Sequence, residues 1–304
     1  MQNAKLKNYL HLHLLVFIAG FTAILGDLIS IDAIPLVWYR MLIASVLMFG
    51  YIKFIRLRIK VSRGTMLKFF AAGVIIALHW ITFFGAIKLS NISITLAMFS
   101  TGAFFASFIE PLIYRRRIIW YEILFGIVVI VGVFLITQSE IKYIYGILLG
   151  ITSALFSSLF AVLNGKFIEK HSATVISFYE FISGVIFITI FLLFYKDGFS
   201  KEFFMLSFSD WVYLFILASV CTAYAFIGSV HVMKYISPYT VVLSYNLEPV
   251  YGISMALFLF PEKETMSPQF YYGAILVLLT VLVEGIMKNS KFLKKKTIAT
   301  PKAD

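Results

Sequence analysis

Glu248 stands in the middle of a long apolar stretch, next to Pro249 and two residues after Asn246. A carboxyl there is costly to bury, so it implies a cavity, a partner or a proton. Pro249 lacks a backbone N–H and deprives the Tyr245 carbonyl of its usual helical partner. A carbonyl freed at that depth lines a cavity or meets another polar group. His79 and Trp80 lie at the middle of an earlier apolar stretch, with Phe83 and Phe84 one turn on. Ser100 and Thr101 add hydroxyls from the next stretch, and Tyr224 adds a phenol from a later one. Aromatic walls with a few directed polar groups suit a small organic solute. Glu248, and after it His79, are the groups able to take up and release a proton as that solute moves. Arg40 lies nearer the outer end of its stretch, as an anion contact at an outer mouth or as one half of a structural pair.

Each of these residues also has a plainer role. Pro249 can kink a helix for packing alone, and Ser100, Thr101 and Gly102 can let helices approach closely. His79 can be a hydrogen bond between helices. With 32 Phe in the chain, most phenylalanines face lipid or pack against neighbours. Glu110, Glu180, His231 and Glu284 lie towards the cytoplasmic ends of their stretches, where polar groups reach the headgroups more easily.

No catalytic set emerges. The chain has no H-E-x-x-H, no G-x-S-x-G and no Gly-rich phosphate loop. Its acids are scattered singly, so no paired-aspartate site for magnesium and diphosphate is expected. Cys221 is the only cysteine, which excludes a disulfide framework and a cysteine metal site. Neither cofactor nor metal is therefore expected. No ring-forming filter sequence of an ion channel is visible. An intramembrane enzyme or a non-transporting membrane interaction protein stands as the alternative to a transporter.

The elements that must position these groups follow from composition. Of 304 residues, 61% are hydrophobic and 13% charged, whereas a soluble domain carries about 25% charged residues. So little polar surface points to lipid as the solvent. A spanning helix needs about 20 mostly apolar residues. Apolar stretches at roughly 10–28, 35–55, 66–87, 92–114, 119–137, 144–165, 173–195, 209–232, 238–260 and 268–287 predict ten of them. Lys5 and Lys7 before the first stretch resemble a signal peptide, but the spans that follow favour a retained first helix.

The net charge of +11 does not call for nucleic acid, because the basic residues are confined to certain loops and the C-terminal tail. Lys5 and Lys7, the run from Lys53 to Lys68, Arg115 to Arg117, Lys166, Lys170, Lys234 and the lysines from 288 to 302 all fall on one side of a ten-span topology. That side is cytoplasmic by the positive-inside rule. Both termini then lie inside, and the chain is a multi-pass protein of the cytoplasmic (inner) membrane. Its partners are the lipid bilayer and a small-molecule solute.

Five spans per half invert the second half relative to the first, as in many secondary transporters. The boundaries are 1–140 for the first repeat, 141–288 for the second and 289–304 for a basic cytoplasmic tail. Lys88-Leu89-Ser90-Asn91-Ile92-Ser93 lies 146 residues before Lys234-Tyr235-Ile236-Ser237-Pro238-Tyr239. At that offset Ser100 pairs with Asn246 and Gly102 with Glu248. Glu110-Pro111 and Glu248-Pro249 are offset by 138 instead, and eight residues of slippage is about 12 Å of helix. They are not equivalents.

The chain resembles the drug/metabolite transporter superfamily, specifically its EamA-type members with two five-helix repeats. The resemblance rests on the Ser237-Pro238 turn, on Asn246-Leu247-Glu248-Pro249, on Glu262, and on Gly273 with the apolar run Ala274 to Val283. In the first half it rests on Ala86-Ile87-Lys88 through Ser107 and on Arg40. Ala103 stands where the family often has proline, and Arg116 where symmetry predicts the counterpart of Glu262. The resemblance implies two inverted repeats around a central cavity, metabolite or amino-acid export by alternating access, and no shared cofactor or ATPase.

Overall fold

A computed structural model describes residues 2–115, 117, 119–195, 198–233, 244–245 and 247–289. The 234–239 turn, Arg116, Asn246 and the tail beyond residue 289 lie outside the described residues. Those described are helical almost throughout. Lipid has no groups to pair with backbone N–H and C=O, so a spanning segment must satisfy its own.

The first half runs α1 (Gln2–Leu28), α2 (Ala33–Phe54), α3 (Arg63–Leu89), α4 (Ile92–Phe99), α5 (Gly102–Tyr114) and α6 (Trp120–Ser139). The second runs α7 (Ile144–Phe167), α8 (Ala173–Phe194), α9 (Lys201–Phe204), α10 (Phe208–Ala218), α11 (Ala225–Met233), α12 (Glu248–Leu259), α13 (Pro261–Glu264) and α14 (Pro268–Asn289). A wide π-turn, Ser219–Tyr224, joins α10 to α11. Short polar side chains set several starts. The side-chain oxygens of Ser62, Asn91 and Ser207 accept from the backbone N–H three residues on, at 3.2, 2.9 and 3.1 Å. Arg115 takes a left-handed conformation, φ 53°, and ends α5.

Among the described residues eight stretches are long and apolar enough to cross a membrane, with α4–α5 and α10–α11 each forming one stretch; α12 and Pro268–Glu284 are shorter apolar helices. The outer surface is oily: Leu112, Phe194 and Phe258 are 80, 87 and 84% exposed. Beneath it, the largest apolar cluster joins α1, α2, α3, α8 and α10. This is an all-helical membrane protein.

The packing has a regular plan. α3 packs on α7 and α8, while α10–α11 pack on α1 and α2. α4 and α5 pack on α7, while α12 packs on α1. α2 meets α8, α6 meets α14, and α4 meets α12. Counting α4–α5 and α10–α11 as single stretches, exchanging each stretch for the one five places away reproduces the same set of pairs.

One end of the bundle carries Arg56, Arg58, Lys60, Arg115 and Arg117; it is called the basic end below. Acidic groups fasten the opposite end. Asp210 accepts from Ser30 through its N–H and its hydroxyl at 2.6 and 2.7 Å. Glu264 accepts the N–H groups of Ile92 and Ser93 at 3.0 and 2.8 Å, capping α4. Glu140 accepts from Ser267 N and Oγ at 3.1 and 2.7 Å, capping α14. Lys263 pairs with Asp27, and Lys88 donates to the Ile29 carbonyl.

Candidate functional site

Two helix starts share the repeat offset. α4 ends at Phe99 and α5 begins at Gly102, while α12 begins at Glu248, 146 residues further on. That is the offset already seen between Ser100 and Asn246 in the sequence. Glu248 and Pro249 are the opening residues of α12. A proline there loses nothing, since the first N–H groups of a helix have no partner anyway. Glu248 places an acid in the first turn, where the helix dipole favours negative charge. Gly20 makes room for this start. A side chain at Gly20 would sit 3.1 Å from the Glu248 carbonyl and 3.0 Å from the Gly252 nitrogen, so only glycine lets α1 lie against α12 here.

Arg40, the residue expected at an outer mouth, is buried, at 3% exposure. Its guanidinium carbon lies 3.9 Å from the centroid of the Trp80 ring and 5.5 Å from that of Phe84. Nε donates to Thr222 Oγ1 at 2.9 Å. Thr222 belongs to the π-turn, and its own hydroxyl donates to the Leu217 carbonyl at 2.8 Å. A widened turn of this kind re-aims side chains and recurs at functional sites. Nη1 of Arg40 is buried with no hydrogen-bond partner. Glu248 is an acid of the other half that stands in the first turn of a helix. Since α2 and α12 come from different halves, the two opposite charges are supplied one by each.

His79 is held more tightly than a free proton carrier would be. Its Nδ1 meets the Ser153 carbonyl at 3.0 Å and Ser153 Oγ at 2.9 Å, joining α3 to α7. Its ring stacks on Phe99 at 5.5 Å and packs near Phe83 and Phe160. Trp80 and Phe83 are 7 and 3% exposed and belong to the main apolar cluster. The hydroxyls of Ser100 and Thr101 turn back on their own helix, to the Leu96 and Met98 carbonyls at 2.9 and 2.7 Å. These serve the restart of the helix.

The two tyrosines lie apart from Arg40. Tyr224 is 42% exposed and its hydroxyl meets His11 Nε2 at 2.8 Å. Tyr245 meets Ser229 Oγ at 2.6 Å. Asn246 lies outside the described residues. A cavity of about 450 Å³ lies at the end opposite the basic one, lined by Glu140, Tyr143, Glu262 and Lys263 among others.

Sequence reasoning passed over Thr222, Ser153, Asn164 and the fastening residues Asp27, Asp210, Glu140 and Glu264. A threonine in an apolar run carries no mark of a π-turn, and Ser153 reads as one more small helix residue. The acids of the opposite end did carry a signal, since each lies at a stretch boundary where a helix cap is needed.

The EamA-like transporter family model matches residues 6–138 and 144–284. No curated protein matches the chain in sequence. A solved crystal structure 12% identical in sequence aligns over 94% of this chain and 99% of its own, with a TM-score of 0.63. At that identity the likeness concerns the fold.

Proposed function

The chain belongs to the EamA-like transporter family and is thus a membrane transporter, and we propose that it moves a small, amino-acid-like metabolite out of the cell by alternating access. The observation that carries this reading is the buried, incompletely partnered Arg40 of one half, together with an acid, Glu248, in the first turn of a helix of the other. One half supplies a buried cation with an unoccupied donor, the other a carboxyl at a helix start, and the centroid of the Trp80 ring lies 3.9 Å from the guanidinium carbon. A zwitterion carries one charge for each. Discontinuous helices at equivalent places in two repeats are where secondary transporters bind their solutes.

In this reading residues 1–140 and 141–288 are inverted repeats, and the ten stretches all span the cytoplasmic membrane. The basic end then faces the cytoplasm with both termini and the tail 289–304. The exchange of the named helix pairs between halves supports the repeat, and five stretches in each half make the second inverted. The far end, fastened by Asp27, Asp210, Glu140 and Glu264, fits a conformation sealed from outside. His79, Trp80, Phe83, Ser100, Thr101, Tyr224, Tyr245 and Asn246 remain proposed cavity residues, exposed to solute as the halves rock. Glu248, being free of the clamp that holds His79, is the favoured coupling carboxyl.

Reconstituted vesicles loaded with a mixture of labelled amino acids test this. Efflux that quickens under an inward proton gradient, and loses that dependence in Glu248→Gln, is the expected result. Full gradient-driven efflux by Glu248→Gln rules out coupling at this carboxyl. Impermeant thiol labelling of a cysteine added to the tail, seen only in opened membranes, tests the orientation.

A further inference from the structure

Glu180 is fully buried in α8, about 10 Å along the helix from its start at the basic end. Its Oε2 accepts from Asn164 Nδ2 of α7 at 3.2 Å. Two atoms of this pair are left over: Glu180 Oε1 and Asn164 Oδ1 are both buried and both lack a hydrogen-bond partner. If Glu180 is ionised, both are acceptors, and neither can satisfy the other. An unpaired acceptor in a dry interior is a costly arrangement, and a charged one more so.

A single proton resolves both at once. Bound to Oε1, it turns that oxygen into an O–H donor, and Asn164 Oδ1 is the acceptor that lacks one. The result is a closed acid–amide pair, with N–H donating one way and O–H the other, and no net charge. A metal ion fits less well. Hard cations take about six or more oxygens, whereas among the described residues no group of three acidic, histidine or cysteine side chains could hold one.

The carboxyl is shielded on one side for a visible reason. A side chain at Gly73 would overlap the Glu180 carbonyl, so α3 lies backbone to backbone on α8 at this level, and Glu180 is 0% exposed. The charged and titratable groups of the surrounding helices are engaged elsewhere. On α2, Arg40 meets Thr222 and Lys53 lies over Phe49. On α3, His79 meets Ser153 and Lys88 the Ile29 carbonyl, while Arg63 and Lys68 are exposed. On α7, Lys166 donates to the Ile113 carbonyl. Tyr179 of α8 donates to the Ile59 carbonyl, and His231 of α11 packs near His11.

We propose that Glu180 and Asn164 form a proton-binding site, distinct from the Arg40–Glu248 site and occupied in this closed conformation. It bridges the neighbouring ends of α7 and α8, so a conformation that parts those ends exposes the acid to the basic side and releases the proton. The site thereby supplies a second ligand for the transport cycle, one that does not compete with the solute for the same cavity.

Infrared spectroscopy of the reconstituted protein at neutral pH reads it directly. The wild type is expected to show a protonated-carboxyl C=O band that shifts on exchange into heavy water. Glu180→Gln should remove that band, Asn164→Leu should move it to higher frequency, and Glu248→Gln should leave it in place. A band that survives Glu180→Gln, or that vanishes in Glu248→Gln instead, overturns the proposal. Should Glu180→Gln fail to fold, Asn164→Leu decides: an unmoved band contradicts the acid–amide pair. Loss of efflux in Glu248→Gln with the band intact bears on the solute site alone, so the two readings fail separately.

Discussion

Arg40 and Glu180 occupy the same place in the two halves. α2 and α8 are both 22 residues long, and each residue is the eighth of its helix, at Ala33 plus seven and Ala173 plus seven. Both are buried, at 3 and 0% exposure. Each makes one hydrogen bond to a neighbouring helix, to Thr222 and from Asn164, and each keeps one buried polar atom without a partner. Yet one position carries a cation and the other an acid. An arginine cannot discharge inside a protein, so it holds a fixed charge and relies on the Trp80 face, a contact worth about 2 kcal/mol when desolvated. A glutamic acid can discharge by taking a proton. The same architectural slot therefore yields a permanent charge for a solute in one half and a switchable group in the other.

The largest expected effect lies at the fixed charge. Arg40→Leu should lower efflux by about 100-fold, since a charge-assisted hydrogen bond contributes roughly 1.5–3 kcal/mol. Its thermal stability should stay level or rise, because removing a buried, incompletely paired charge relieves the fold. A matching fall in stability and transport would make Arg40 structural and break the contrast.

At the switchable position the prediction reverses. Glu180→Leu should destabilise the protein by about 1–3 kcal/mol, because the Asn164 amide is stranded. Glu180→Gln should stay within about 1 kcal/mol of the wild type, since an amide offers the donor that the proton supplies. Unfolding midpoints in detergent measure both, and equal losses in the two variants would count against the acid–amide pair.

Thr222→Val removes the acceptor of Arg40 Nε while keeping the shape of the side chain. Efflux should fall about tenfold with little change in stability, in line with one hydrogen bond to a charged group. The smallest effect is expected at Ser153→Ala. His79 keeps the Ser153 carbonyl as a partner, so a loss of about 1 kcal/mol and near-normal efflux should follow. A large transport defect there would return His79 to the centre of the mechanism.

Apolar length and the distribution of lysine and arginine laid out the helical stretches before any coordinates, because both are local properties of the chain. The 146-residue offset paired Gly102 with Glu248 in the sequence, and each proves to open a helix, although the apolar runs around them read as unbroken spans. Pairing across helices left no such trace. Nothing in the run around Thr222 announces a π-turn, and Asn164 reads as a polar residue near a helix end. Arg40 was legible as an unusual residue, whereas its depth followed only from α2 packing against α8 and the π-turn. Pro249 was legible as a missing N–H, and a helix begins at Glu248 and Pro249.

Comparing the metabolites outside cells that express the wild type, Arg40→Leu or no transporter addresses the account most directly. A small solute bearing a carboxylate should accumulate outside with the wild type and return to the transporter-free level with Arg40→Leu at equal protein abundance. External metabolites that are the same for the wild type and Arg40→Leu would contradict a solute site built on Arg40.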